Sequence, residues 1–208
     1  MNYFVIVWCD SHLIQSKSAP LDQMVNPLVL LLLSVVVVAD EHLLHSVKNG
    51  ELEQVREHLK ELGKNPNHKD PWEKSVLMHS AYKGHYDIAV LLLEHGADVN
   101  SISNSGRTPL IAASFGGHVK LVKLFIRHQA HLDIQDKRHQ MTALHHAINE
   151  IRHDHDAEHE ACIRALIDAG ADMHLTAKNG NTVEHIADLK KLFHFDLHKH
   201  IVHHKSKT

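Results

Sequence analysis

Gly84–Asn100 reads GHYDIAVLLLEHGADVN, and Gly117–Asp133, 33 residues on, reads GHVKLVKLFIRHQAHLD. A recurrence at fixed period constrains the fold more tightly than any composition, because it is the mark left by a stack of equivalent structural units. An enzyme site needs unlike groups converging once. Aligned on the Gly-His pair, units begin near Glu41, Ser75, Thr108, Thr142 and Thr182, with spacings of 33, 34 and 40 from Ser75 onward. The period is kept until one unit takes an insertion.

Inside a unit the residues read mechanically. Thr108 caps free backbone N–H groups and Pro109 sits at a first-turn position, where its missing donor costs nothing. Ala112, Ala113 and Ser114 are small enough for two helices to approach closely. Gly117 ends that helix, and Val119, Leu121, Val122, Leu124, Phe125 and Ile126 give the apolar stripe of a second. A helix pair of this length cannot sustain a core alone, so it must lie against its neighbours. Between units, Asn100–Arg107 (NSISNSGR) and Asp172–Asn181 (DMHLTAKNGN) carry Asn-Ser-Gly and Asn-Gly turn signals and read as projecting hairpin-like loops.

These residues resemble the ankyrin repeat, whose pattern opens on T-P-L-H-x-A-A-x-x-G-H, continues with an I-V-x-L-L-L stripe and closes on G-A-D-V-N. Ser75–Arg107 and Thr108–Met141 match over their whole length. Gly96-Ala97-Asp98-Val99-Asn100 and Gly170-Ala171-Asp172 reproduce the close, and Thr142-Ala143-Leu144-His145 the opening. Glu41–Lys74 is a degenerate first unit that keeps Asn49-Gly50 and Asn67, while Thr182–Thr208 starts a unit with Glu184 where a core Leu belongs. The resemblance implies an all-α ankyrin-repeat solenoid of stacked helix pairs with projecting β-hairpin loops. Two departures stand out: Gln129 replaces the Gly after a second helix, and about seven extra residues fall near Asn149–Glu158, expected to protrude as a finger or to lengthen the helices.

The chain divides into a leader at 1–39, an array at 40–193 and a His-rich tail at 194–208. Leu28–Ala39 is uncharged; as a helix it would span about 18 Å, short of the roughly 30 Å of a bilayer core. Its length and the Val37-Val38-Ala39 junction before Asp40 fit a secretory signal cut after Ala39, although Lys17 is the one basic residue ahead of it. Translation from Met24 would give a more compact signal; a buried helix capping the array is the other reading of the same run. A secreted or secretory-pathway protein is expected, or a cytoplasmic one if the leader is retained. The mature chain is then a monomer with no membrane segment.

Charge excludes one class of partner. Lys+Arg number 22 against Asp+Glu 25, so no overall positive field draws in nucleic acid. The two cysteines, Cys9 and Cys162, offer no disulfide framework. With no Gly-rich phosphate loop, G-x-S-x-G elbow or H-E-x-x-H in the sequence, neither an enzyme nor a cofactor is expected.

Binding in ankyrin arrays is carried by loop tips and the exposed face of the first helix, as the resemblance implies. That selects Trp72, Lys74, Asn104, Arg107, Arg138 and His139 on the tips, and Tyr82, Lys83 and Phe115 on the first helices. Aromatics and Arg are the types that anchor protein interfaces. The expected function is therefore a protein-interaction scaffold binding a macromolecular partner through its concave face and loop tips. Histidine supplies the alternative: with 24 residues of it, the chain could be a secreted metal-binding or pH-responsive protein. His79, His85, His118, His145 and His185 fall at motif positions, where the resemblance implies hydrogen bonds to loop backbone. In the insertion, His155 and His159 lie four apart on one helical face, a spacing compatible with Zn²⁺ that no motif position requires.

Overall fold

The computed structural model describes residues 41–60, 65–151 and 157–189, all within one compact unit, Ala39–Thr208. The leader, its alternative start at Met24, His155 and the tail at 194–208 lie outside the described residues. Helix α1 covers 41–49 of them, followed by α2 (Leu52–Lys60), α3 (Val76–Lys83), α4 (Tyr86–Glu94), α5 (Pro109–Phe115), α6 (Val119–Arg127), α7 (Ala143–Glu150), α8 (Ala157–Asp168) and α9 (Val183–Leu189). No helix among the described residues is long and apolar enough to cross a membrane.

Every first helix from α3 onward starts in the same way. Ser75, Thr108, Thr142 and Thr182 each accept a hydrogen bond from the backbone N–H three residues on, satisfying a donor that the helix leaves unpaired. Two residues past these caps stand Leu77, Leu110 and Leu144, each at most 1 % exposed, while Glu184 at the matching place in α9 is half-buried. Ala81 and Ala113 are fully buried where α3 and α5 meet, as small side chains at a close helix contact should be. The packing is that of a stack: α3 lies on α5, α5 on α7 and α7 on α9, while α2, α4, α6 and α8 form the parallel second row. One apolar core runs through all units, from Leu43 to Ala187.

The Gly-His pair binds each unit to the next. Gly50, Gly84 and Gly117 end their helices with φ of 79°, 78° and 70°, a backbone region that L side chains rarely adopt. Against these glycines lie the imidazoles of His85, His118 and His159, so close that an added Cβ would come within 2.7–2.9 Å of the ring. His118 Nε2–H donates to the carbonyl of Tyr82 at 3.2 Å and His159 Nε2–H to that of Phe115 at 3.3 Å. His159 is therefore the motif histidine of its unit, which corrects the expectation that no motif position calls for it. The insertion precedes it: α4 and α6 begin one residue after their histidine, whereas α8 begins two residues before His159, so part of the extra chain lengthens that helix.

A second set of links crosses the units at their closing residues. Asn67 Oδ1 accepts from Asp98 N–H, Asn100 Oδ1 from His131 N–H and Asp133 Oδ1 from Asp172 N–H. Asn67 Nδ2 also donates to the carbonyl of Gly96, and Asn100 Nδ2 to that of Gln129. Gln129 thus occupies the turn that Gly96 and Gly170 fill elsewhere, with φ of 62° against their 86° and 91°. An L side chain there carries about 1–2 kcal/mol of strain, offset in part by the greater freedom of glycine when unfolded. Gln129→Gly is expected to raise stability by about 0.5–1 kcal/mol, seen as a higher urea midpoint at unchanged slope. A lower midpoint would show that the Gln side chain compensates its backbone.

The projecting loops are hydrogen-bonded turns rather than strands. Among the described residues the only β contact is an isolated bridge between Lys69 and Ser75. Each turn closes on a backbone N–H, as in Asp70 to Lys74 and Ser103 to Arg107 at 2.9 and 3.0 Å, leaving too few residues on either side for a ladder. The tips stack instead: Asn104 N–H donates to Trp72 O, Lys137 N–H to Ser105 O and Lys178 N–H to His139 O, at 2.8–3.1 Å.

Candidate protein-binding groove

Stacked first helices and stacked loop tips enclose a groove between them. One part has a volume of about 520 Å³ and is lined by Lys48, Lys74, Tyr82, Lys83, Arg107 and Phe115, together with Asn49, Met78, His79, Ser103 and Ala112. A neighbouring recess of about 570 Å³ at the loop tips is bounded by Trp72, Lys74, Asn104, Ser105, Arg107 and Arg138. Lys74 and Arg107 line both. Of the candidates chosen from the sequence, Trp72, Lys74, Tyr82, Lys83, Asn104, Arg107, Phe115 and Arg138 meet here. His139 does not line either space; it is exposed, and its backbone serves the loop stack.

The aromatic rings form a graded series. Tyr82 and Phe115, one period apart on α3 and α5, stack with centroids 5.8 Å apart and planes at 18°. Phe115 meets His146 of α7 edge-on at 6.0 Å, and the Arg107 guanidinium lies over the Phe115 ring at 5.6 Å. At the tip, Lys74 Nζ stands 5.9 Å from the Trp72 ring. Trp72 and Tyr82 are 64 % and 52 % exposed, and with Ile102 they are the exposed large apolar side chains among the described residues. Such surface is held open only where something else is to cover it, or at scattered single positions.

Two acid–imidazole pairs, one half-buried and one buried, stand beside the groove. Asp70 Oδ1 accepts from the N–H groups of Trp72 and Lys74, and Oδ2 from His79 Nε2–H, each at 2.9 Å. Asp136, 1 % exposed, accepts His139 N–H at 2.7 Å and His146 Nε2–H at 2.9 Å, with Arg107 Nε 3.8 Å away. Burial alone would raise both carboxyl pKa values. The backbone and imidazole hydrogen bonds outweigh it and hold both below the ordinary carboxylate range. On the imidazoles burial wins: it pushes the pKa of His79, His145 and His146 down despite the hydrogen bonds that favour the charged form.

The repeat pattern points His79 to loop backbone and marks none of His146, Asp70 and Asp136. His79 and His146 bond to a carboxylate of the preceding loop instead. The signal was there in register: Asp70 precedes His79 by nine residues and Asp136 precedes His146 by ten, at places filled by Ser103/Ala112 in the unit between. Of the four units opened by Ser75, Thr108, Thr142 and Thr182, two carry the pair, so a consensus hides it. His145 does follow the local expectation, closing a capping box with Thr142. Cys162 is fully buried within α8. No group of three metal-ligating side chains is found among the described residues.

A family description, ankyrin repeats in three copies, matches residues 43–136 and 97–177, well over half of the chain. The chain belongs to the ankyrin-repeat family. Similar proteins include mouse ankyrin repeat and SAM domain-containing protein 6, 38% identical over 88 residues, which are 40% of this chain and 9% of that protein. Rice (Oryza sativa subsp. japonica) probable E3 ubiquitin-protein ligase XBOS33 is 40% identical over 76 residues, 36% of this chain and 15% of the ligase. Human ankyrin repeat and SOCS box protein 14 is 42% identical over 52 residues, 25% of this chain and 9% of the relative. The chain thus spans less than a sixth of the length of each of these relatives. Ankyrin repeats generally mediate protein–protein interaction.

Proposed function

We propose that this chain is a protein-interaction scaffold whose docking face is the groove formed by α3, α5 and the adjoining loop tips. The observation that carries the reading is the shelf of Tyr82 on Phe115, half open to solvent, with exposed Trp72 in the adjoining recess. Trp, Tyr and Arg are enriched among the few side chains that carry most of the binding energy in protein interfaces. The shelf is pre-ordered, since both helices are fixed by their caps and by the core beneath, so association orders little of the scaffold. The reading includes no catalytic step.

Affinity capture on three immobilised forms of the full chain is the test. Proteins retained by the wild type should be lost on a Tyr82→Ala, Phe115→Ala double variant and kept on a Lys123→Ala, Arg127→Ala variant altered on exposed positions of α6. About 2 kcal/mol or more is expected for the aromatic pair, a thirtyfold loss of affinity. Equal retention by all three forms would remove the groove as the docking face.

A further inference from the structure

We infer that the groove selects an acidic segment of its protein partner, one that carries an aromatic or other large apolar side chain among its carboxylates. The inference rests on the groove being the docking face. Lys48, Lys74, Lys83, Arg107 and Arg138 line its two adjoining spaces, and neither lining includes an Asp or a Glu. This happens on a chain whose formal net charge is −3, so the cations are gathered here against the overall balance.

The carboxylates nearby are already engaged. Asp70 and Asp136 are buried and hydrogen-bonded to backbone and imidazole, and Glu73 pairs with Lys69 at 3.0 Å. Arg107 keeps a 36 % exposed side chain despite its contact with Asp136. Among the described residues Lys48, Lys74, Lys83 and Arg138 have no carboxylate within ion-pair distance. Unneutralised cations crowded around a low-dielectric wall raise the local concentration of anionic groups and set partner choice more than raw affinity. Lys48, Lys74, Lys83 and Arg107 line the same space as Tyr82 and Phe115, and Arg138 the adjoining one, so the matching surface sets negative charge beside an apolar anchor.

An acidic polypeptide fits this better than a nucleic acid strand. Bases bind single-strand grooves by stacking on open aromatic faces. Here Phe115 is taken by Tyr82 and Arg107 and Trp72 has Lys74 over its ring, which leaves the exposed faces of Tyr82 and Trp72 in two separate linings rather than a run of platforms for successive bases.

Fluorescence anisotropy on the full chain tests the inference with four labelled probes: a short peptide with a central Trp flanked by glutamates, the same peptide with Gln for every Glu, the Glu peptide with Ala for Trp, and a single-stranded oligonucleotide. The Glu–Trp peptide should bind about tenfold or more tighter than its Gln counterpart, with the gap closing as salt screens the charges. Lys74→Glu with Lys83→Glu should abolish that preference, and the milder Lys74→Gln with Lys83→Gln should reduce it with the fold checked by circular dichroism. Lys120→Glu with Lys123→Glu, at exposed positions of α6, should leave it unchanged. Equal binding of the Glu and Gln peptides, tighter binding of the oligonucleotide, or indifference to the Lys74 and Lys83 changes would each overturn the inference. If that happens while the Tyr82 and Phe115 variant still loses its captured partner, the docking face stands and only the acidic partner is wrong.

Discussion

Phe125→Ala is expected to lower stability by about 3–5 kcal/mol, read from urea unfolding followed by circular dichroism. Phe125 is the largest fully buried side chain among the described residues, and it sits on α6 in the middle of the stack. That helix packs on α4 before it, α8 after it and α5 within its own unit. In a repeat array stability is the sum of unit terms and nearest-neighbour interfaces, so a hole in a central unit weakens interfaces on both sides. Broadening of the transition, with the two ends of the array unfolding apart, should accompany the loss. Ile102→Ala, at a position 44 % exposed, is the control and should change stability by less than about 0.5 kcal/mol. A loss under about 1 kcal/mol for Phe125→Ala would contradict the packing described.

Asp136→Ala should cost about 3 kcal/mol. The carboxylate receives His146 Nε2–H and His139 N–H, and hydrogen bonds to a charged group are worth about 1.5–3 kcal/mol each. Its removal leaves the buried imidazole N–H without that acceptor and releases Arg107 from the groove wall. The pair also fixes the direction of the pH response. His79, His145 and His146 have pKa values held down by burial, so on acidification the unfolded chain takes up protons near the ordinary value of about 6.5 while the folded chain does not. Stability is therefore full above about pH 7 and falls as pH drops past about 6.5. Asp70 and Asp136, depressed in the folded state, stabilise it above the ordinary carboxylate pKa of about 3.9, and that contribution is lost as pH falls further through their folded values. Both effects have the same sign. Melting temperature measured from about pH 7 to 5 should fall, and more shallowly for His146→Gln, which keeps a donor toward Asp136 but does not titrate. An unaltered slope in that variant would show that His146 is not among the groups responsible.

The periodic sequence by itself determined the stack. Thr-Pro caps, small residues in the first helix, a Gly where it ends and an apolar stripe in the second are local choices, each enforced by the backbone within a few residues, and repetition makes neighbours of successive units. It also supplied most of the groove, because Trp72, Tyr82, Arg107, Phe115 and Arg138 occupy positions that every unit places on the same side. Tertiary structure decided what depends on partners in another unit. His159 is the clearest case: read along the chain it belongs to a His-rich insertion, and only the seat beneath it at Gly117 makes it the counterpart of His118. The pairing of Asp136 with His146, and the gathering of four cations around one aromatic shelf on a chain of net negative charge, likewise exist only once separate loops and helices are laid side by side. Hydrogen bonds and Coulomb forces act through space over a few ångströms, whereas the residues that exert them here come from as many as three different units.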